Sequence, residues 1–68
     1  MKSKISVLLK ELRLELGLTQ DGFAKRVGKP QSTIARIETG AMIPTVHLLS
    51  EIATSLNKRL EISFVEKI

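Results

Sequence analysis

The chain contains no cysteine, tryptophan or tyrosine, and its only aromatic residues are two phenylalanines. Without cysteine, neither a disulfide nor a thiolate metal site can form. The single histidine, His47, stands among scattered carboxylates, so a zinc site is not expected. No apolar run approaches the roughly 20 residues that span a bilayer, and Lys10 and Glu11 interrupt the stretch where a signal peptide would be apolar. We expect a soluble cytoplasmic protein with no membrane, metal or cofactor.

The 68 residues are expected to form one domain, residues 1–68. A chain of this size buries only ~60% of its unfolded surface, so helix packing or dimerisation must supply its stability. Eleven Lys and Arg against seven Asp and Glu leave a net charge of +4. The positive excess lies mainly in the first 40 residues, which weakly indicates a surface that faces phosphates.

Helical spacing of apolar residues predicts three helices in the first part of the chain. The first extends over about Ser3–Leu16, and the second begins after the N-cap residue Thr19 and stops at Gly28. The third extends over about Gln31–Thr39 and ends at Gly40. Their expected apolar faces are Ile5, Leu8, Leu9, Leu12 and Leu16, then Phe23, Ala24 and Val27, then Ile34 and Ile37.

A fourth helix is expected after the N-cap residue Thr45, and Asn57 suits its end. Its expected apolar face consists of Val46, Leu49, Ile52, Ala53 and Leu56. Residues 59–65 then alternate between apolar and polar side chains, which predicts a β-strand. The apolar positions of this strand are Leu60, Ile62 and Phe64.

A lone strand cannot satisfy its own backbone donors and acceptors, and no other segment of the chain is strand-like. We therefore expect residues 59–65 to pair with their own copy across a two-fold axis, or with the sheet edge of a partner protein. The alternative is a frayed fifth helix, because Glu, Leu and Lys tolerate helices well. Whether a dimer forms through this strand or through the fourth helix stays open at this point.

The segment from Thr19 to Gly40, TQDGFAKRVGKPQSTIARIETG, predicts two short helices joined by a tight turn. This is the spacing of a helix-turn-helix, whose second helix presents its N-terminal side chains to base edges in the major groove of DNA. Positions 31, 32 and 36 lie on one side of that helix, opposite Ile34 and Ile37. The pattern indicates a DNA-binding module.

The run LRLELGLTQxxxAxxVGxPQSTIARIExG resembles the helix-turn-helix of the phage-repressor-like (Xre) family of transcription regulators. The core GKPQSTIARIE, followed by PT, LL, IA and a terminal strand, resembles in particular the small antitoxins of HigA type. The resemblance covers about Leu8 to Val65. It implies an all-α, four-helix, lambda-repressor-like DNA-binding domain with a short C-terminal strand that pairs across a dimer.

The resemblance also implies roles for individual residues. It places Gln20 on a backbone phosphate and a buried ion pair between Arg13 and Glu38. The exposed face of the third helix is expected to contact bases and phosphates through Gln31, Ser32, Thr33 and Arg36. Glutamine suits adenine and arginine suits guanine, whereas Ser and Thr discriminate poorly.

Residues around the third helix are further candidates. Lys29 suits a phosphate contact as well as it suits a solvated charge, and backbone amides in the loop at Thr39, Ala41 and Met42 are possible phosphate donors. Thr33 has an alternative role as a helix cap. Two positions depart from the family pattern: Gly22 removes the capping-box partner of the second helix, and Pro30 replaces a Ser or Thr cap of the third.

The leading functional interpretation is a homodimeric, sequence-specific repressor that binds a roughly palindromic operator with half-sites ~34 Å apart. Within it we favour an antitoxin that represses its own operon and neutralises a small ribonuclease-type toxin. The alternatives are a stand-alone regulator and a protein-interaction module on the same fold. An enzyme is not expected, because no nucleophile stands beside a base and no phosphate loop or paired carboxylates are present.

Overall fold

The structure is a computed structural model and describes residues 3–67. It contains four helices. They are α1 (Lys4–Glu15), α2 (Gln20–Val27), α3 (Gln31–Thr39) and α4 (Val46–Ser55). Helix α3 packs against α1 and α2, and α4 packs against α2. The predicted all-α, four-helix architecture is confirmed. None of the four helices combines the length and the apolar composition that a transmembrane span requires.

Local capping determines where three of the helices begin. The hydroxyls of Ser3, Thr19 and Thr45 each accept a hydrogen bond from the amide three residues further on, at 3.2, 3.0 and 3.0 Å. Two residues in the left-handed conformation follow the ends of α1 and α4, Gly17 at φ 69° and Asn57 at φ 59°. The predicted caps Thr19 and Thr45 and the predicted end at Asn57 are confirmed, whereas Ser3, expected as the first residue of α1, is its N-cap.

The hydrophobic core lies where α2 and α3 meet α1 and α4. Phe23, Ile34 and Ile37 are wholly buried. Leu9 from α1 and Ile52 from α4 close the core on its other sides. The predicted apolar faces of the second and third helices are confirmed, because every residue assigned to them is buried. This packing fixes α2 and α3 relative to each other.

The predicted apolar face of the first helix is wrong in part. Leu8 and Leu16 are 55% and 38% exposed, whereas Ser6 and Arg13 are buried. The buried face is therefore rotated around the helix axis toward Ser6 and Arg13. The cause is the carboxylate of Glu38, which lies under α1 and draws the arginine inward. The sequence likewise places Val46 on the apolar face of the fourth helix. It is 60% exposed, so that assignment is wrong.

The tail after α4 is neither helix nor strand in the part of the chain that the structure describes. The alternative of a fifth helix is therefore wrong for residues 58–67. The predicted strand has no ladder partner among residues 3–67, so it stays a prediction that concerns a second copy or a partner. Leu60 is half-buried, and Ile62 and Phe64 are exposed.

Candidate nucleic-acid interface

The turn between α2 and α3 sets the angle of the helix-turn-helix. Gly28 ends α2 in the left-handed conformation, at φ 69°, which only glycine adopts without cost. The amide of Lys29 then donates to the carbonyl of Ala24 at 3.0 Å. Pro30 follows with φ −62° and ψ 145°, and α3 begins at the next residue. The chain thus passes from α2 to α3 within three residues.

Helix α3 has two distinct faces. Glu38 and the two isoleucines of the helix are buried. At 100° per residue, the four exposed polar side chains fall within an arc of about 140°. They are Gln31, Ser32, Arg36 and Thr39. Thr33 is half-buried at the border of the two faces, and Ala35 is half-buried between the exposed side chains. The outward face of α3 therefore carries hydrogen-bonding groups and one positive charge but no carboxylate.

The beginning of α3 differs from those of the other three helices. Its N-cap residue is Pro30, which offers no side-chain hydrogen bond. The amides of Thr33 and Ile34 donate to the Pro30 carbonyl at 3.1 and 3.4 Å. Gln31 and Ser32 precede them in the first turn, where helical amides have no intrahelical acceptor. The positive end of the helix dipole is thus exposed beside the polar face. Thr33 does not act as the cap that its sequence position allowed.

A network of hydrogen bonds behind this face joins four parts of the chain. The Arg13 guanidinium donates to both carboxylate oxygens of Glu38, at 2.7 and 3.0 Å. Its Nη1 donates to the carbonyl of Leu18 at 2.8 Å. Gln20 Nε2 donates to Glu38 Oε1 at 3.2 Å. The Glu38 carboxylate therefore connects α1 and the first residue of α2 to the end of α3, and Arg13 adds the α1–α2 loop to the network.

The electrostatics of this network favour both charges. Burial acts to raise the pKa of Glu38, but hydrogen bonds from Arg13 and Gln20 outweigh it, so that pKa lies below its ordinary value. The hydrogen bond to Glu38, with the charge of that carboxylate, raises the pKa of Arg13 above its ordinary value despite burial. Both groups stay ionised, so the pair acts as a fixed bidentate clamp.

Gln20 occupies two environments at once. It is the first residue of α2 and half-buried, with one amide hydrogen directed to Glu38. A side-chain amide nitrogen carries two hydrogens, so the second remains available at the helix terminus. Sequence reasoning placed Gln20 at this terminus but missed its bond to Glu38, which joins residues 18 positions apart. Nothing in the local sequence pattern indicates that bond.

Lys29 in the turn is paired with α4. Its Nζ lies 3.1 Å from Glu51 Oε1, and the Lys29 side chain is 24% exposed. The same carboxylate oxygen lies 3.5 Å from His47 Nε2. Lys25 forms an exposed i,i+4 pair with Asp21 at 3.2 Å. Neither lysine is an unengaged charge, and the role of Glu51 is a second feature that sequence reasoning missed.

The loop that follows α3 is held by the carbonyl of Arg36. That oxygen accepts hydrogen bonds from the Met42 amide at 3.1 Å and from the Thr39 hydroxyl at 3.2 Å. The Met42 amide is therefore engaged within the chain rather than directed outward. Gly40 supplies the left-handed residue that ends α3, at φ 85°. The guanidinium of Arg36 extends from the exposed face and forms no ion pair with any residue in the described range 3–67.

Within residues 3–67, no three His, Asp or Glu side chains converge to hold a metal ion. The candidate site therefore consists of the outward face of α3, its uncapped first turn, Gln20 and Lys29. The structure brings these groups to the helix-turn-helix. It leaves the apolar tail residues Leu60, Ile62 and Phe64 in a separate part of the molecule, lining or extending past a groove between α1 and α4.

The helix-turn-helix family HTH_3 matches residues 9–62. Several relatives are named "uncharacterized HTH-type transcriptional regulator". One from Archaeoglobus fulgidus is 37% identical over 57 residues, which cover 84% of this chain and 81% of the relative. One from Methanothermobacter thermautotrophicus is 43% identical over 51 residues, which cover 75% of this chain and 74% of the relative. A third, YgzD from Bacillus subtilis, is 33% identical over 61 residues, which cover 90% of this chain and 86% of the relative.

A solved structure has the same fold. The crystal structure of an HTH_3 family transcriptional regulator from Vibrio cholerae superimposes with a TM-score of 0.77 at 36% sequence identity. The match covers 82% of this chain and 32% of that chain. The present chain thus spans about a third of the length of that regulator.

Proposed function

The chain belongs to the HTH_3 helix-turn-helix family, and from this premise we propose that it is a sequence-specific transcriptional repressor that binds double-stranded DNA. Helix α3 lies in the major groove, with its first turn toward the base edges. The observation that carries the proposal is the outward face of α3. This face combines hydrogen-bond donors and acceptors with the unpaired guanidinium of Arg36. The only carboxylate of α3, that of Glu38, is buried and paired with Arg13.

Base contacts are assigned to the side chains that project furthest from α3. Gln31 in the first turn suits a bidentate contact to adenine, and Arg36 one turn later suits guanine. Ser32 and Thr33 supply less discriminating hydrogen bonds. Ala35 lies between Gln31 and Arg36 on this face. Its side chain is small, so the helix backbone can approach the groove closely. Each bidentate contact is worth ~1–3 kcal/mol of discrimination against the wrong base.

Phosphate contacts are assigned to groups around the edge of this face. Gln20 offers its second amide hydrogen at the start of α2, and the uncapped amides of α3 offer an anion site. Lys29 reaches a phosphate by exchanging the Glu51 carboxylate for a phosphate oxygen. The exchange is open because the carboxylate is accessible from solvent, as a backbone phosphate is. Thr39 lies on the same exposed face, at the C-terminal end of α3. These contacts position the protein but do not distinguish sequences.

A homodimer places two copies of α3 on one face of the DNA. Half-sites one helical turn apart, ~34 Å, then give a roughly palindromic operator. Residues 59–65 of the two copies supply the pairing, because their alternating sequence is that of a strand and their unpaired backbone groups are open to a second strand.

The experiment that tests the proposal is a mobility shift on DNA from upstream of the protein's own gene. Arg36→Ala should lose about tenfold or more in affinity, because a bidentate contact is lost in each half-site. Lys4→Ala is the matched control. It also removes one exposed positive charge but lies at the start of α1. Equal losses from both variants would remove Arg36 from the base-contacting surface.

The narrower form of the proposal is that the repressor is an antitoxin that also neutralises a small ribonuclease-type toxin. Its support is the resemblance of Gly28–Glu38 and Pro44–Ala53 to HigA-type antitoxins. Coexpression with the product of the neighbouring reading frame tests it. Copurification of a ribonuclease that the chain inhibits supports the antitoxin, whereas a gene that stands alone favours a stand-alone regulator.

Salt dependence separates the repressor from a protein-interaction module on the same fold. DNA binding that neutralises several phosphates weakens steeply as salt rises. Apolar docking to a protein partner changes little over the same range. Titration of the retained complex from low to moderate salt therefore distinguishes the two classes.

A further inference from the structure

An apolar groove lies between α1, α4 and the tail, and no residue of α3 lines it. Its volume is roughly 480 Å³. The apolar residues that matter here are Leu8, Leu12, Val46, Leu49, Leu60 and Ile62. Leu8 and Val46 line the groove and are more than half exposed. The groove is therefore a part of the hydrophobic core that the single chain leaves open.

The surface area of the chain is consistent with a missing second copy. The chain exposes 5257 Å², whereas a compact 7.5 kDa monomer exposes about 4,200 Å². The difference of about 1,000 Å² is close to the ~800 Å² that each partner buries in a stable interface of ordinary size.

Residues 58–62 of the tail line the groove. Along them the apolar side chains of Leu60 and Ile62 alternate with those of Arg59 and Glu61, which pair with each other at 2.8 Å. Residues two apart share a face in extended backbone. Phe64 continues the apolar series but contacts nothing, because it is 104% exposed.

We propose that the groove is covered by a second copy of this chain, with residues 58–66 of the two copies paired antiparallel about Ile62, and that Phe64 of each copy enters the groove of the other. The proposal deepens the dimer of the proposed function and rests on it. It specifies the register of the pair and the destination of its largest apolar side chain.

The register follows from the order of the residues. Centring the pair on Ile62 sets Leu60 opposite the partner's Phe64, so each apolar residue of the face meets another. It also sets Lys58 opposite the partner's Glu66 at both ends of the ribbon. Cross-strand apolar pairs and opposite charges each stabilise a sheet.

Neighbouring registers lose these pairings. Centring on Glu61 sets that carboxylate opposite its own copy, and centring on Ser63 sets Arg59 opposite the partner's Lys67. Like charges directly opposed are destabilising. Moving the centre by two residues, to Leu60 or to Phe64, sets Ile62 opposite a charged side chain of the partner, at position 58 or 66.

The destination of Phe64 follows from the register. Opposed residues on one face of an antiparallel pair have Cβ atoms ~4.5–5.5 Å apart. Leu60 lines the groove of its own copy, so the partner's Phe64, opposite Leu60, lies over that groove. A two-stranded ribbon is marginal in water by itself. Packing of its apolar face on two grooves supplies the stability that it lacks.

Tryptophan substitution tests the destination, because the chain has no tryptophan or tyrosine to obscure the signal. Phe64→Trp is compared with Val65→Trp, the adjacent position on the other face, at concentrations where sedimentation shows a dimer. We expect the indole at position 64 to emit at shorter wavelength and to resist iodide quenching several-fold better than the indole at 65. Equal quenching of both in the dimer, or a monomer at every concentration, overturns the proposal.

Single cysteines test the register against a background that contains no thiol. The residue on the two-fold axis lies ~5 Å from its copy, within disulfide reach, whereas the residues beside it lie ~8 Å from theirs. Ile62→Cys should therefore form a disulfide dimer on mild oxidation, and Glu61→Cys and Ser63→Cys should not. Faster cross-linking at position 61 or 63 overturns the register.

Loss of the side chain measures its contribution. Each dimer buries two Phe64 side chains, so Phe64→Ser should weaken dimerisation by about 100-fold or more. Failure of this inference is separable from failure of the proposed function. A dimer that binds DNA with Phe64 exposed refutes the groove proposal alone, whereas an intact shielded dimer that binds no DNA refutes the repressor alone.

Discussion

Replacement of Glu38 by glutamine tests the ion pair that connects α1 to the end of α3. The variant keeps the size of the side chain but removes the charge, which leaves the buried Arg13 guanidinium without its carboxylate. Loss of one partner of a buried pair costs ~3–5 kcal/mol. A domain of this length has a total stability of roughly 3–10 kcal/mol. Glu38→Gln should therefore remove a large share of the free energy of unfolding.

Urea denaturation followed by far-ultraviolet circular dichroism is the appropriate assay, because the chain has neither tryptophan nor tyrosine to report by fluorescence. Asp21→Asn is the matched control, since Asp21 belongs to the exposed pair with Lys25. An exposed i,i+4 pair contributes only ~0.3–0.5 kcal/mol. If Glu38→Gln costs no more than Asp21→Asn, the network does not hold α1 to α3 as described.

The double variant Arg13→Met with Glu38→Leu removes both charges of the buried pair at once. Replacement of a whole buried ion pair by packed apolar residues is often neutral or stabilising, because no charge is left without a partner. We expect the double variant to be more stable than Glu38→Gln. A double variant less stable than the single one would show that the charges themselves contribute net stability.

Three further predictions concern pH, the turn and the lysine in it. Because the pKa of Glu38 is below its ordinary 4.5, its stabilising effect is complete above pH 4.5 and is lost as pH falls through the lowered value. The stability difference between wild type and Glu38→Gln should therefore shrink only below pH ~4.5, as urea midpoints would show. Gly28→Ala should cost ~1–2 kcal/mol by denaturation, because φ is 69° with open space around the position. Gly28→Asn should cost less. Glu51→Gln should raise DNA affinity several-fold at low salt by releasing Lys29, whereas Glu15→Gln, on the surface of α1, should change it less; equal effects would contradict the competition.

Helix ends are predictable from the sequence because their causes are local. A hydroxyl at Thr19 or Thr45 caps the amide three residues away, and Gly28 supplies the left-handed turn. The face of α1 is not predictable in this way. Its rotation toward Arg13 depends on Glu38, which is 25 positions distant.

The candidate site also contains features that the local sequence predicts and features that it does not. The outward direction of Gln31 and Arg36 follows from the helical repeat once Ile34 and Ile37 are placed in the core. The bond from Gln20 to Glu38 and the pair between Lys29 and Glu51 join distant segments, so only the packed structure reveals them. These two contacts bear directly on the phosphate contacts that we propose for Gln20 and Lys29.

The tail shows a different limit. Alternation in residues 59–65 predicts a strand, but a strand is defined by its partner, and the partner that we propose is a separate molecule. The exposed Phe64 and the open groove are the observations on which that proposal rests.

The central claim is that the outward face of α3 recognises DNA sequence, and the most direct measurement is base preference. Duplexes selected from a randomised pool by wild type and by Arg36→Ala are sequenced and compared. We predict that Arg36→Ala relaxes the preference for guanine at one position of each half-site, symmetrically, and leaves the other positions unchanged. Identical preferences for the two proteins would contradict the account.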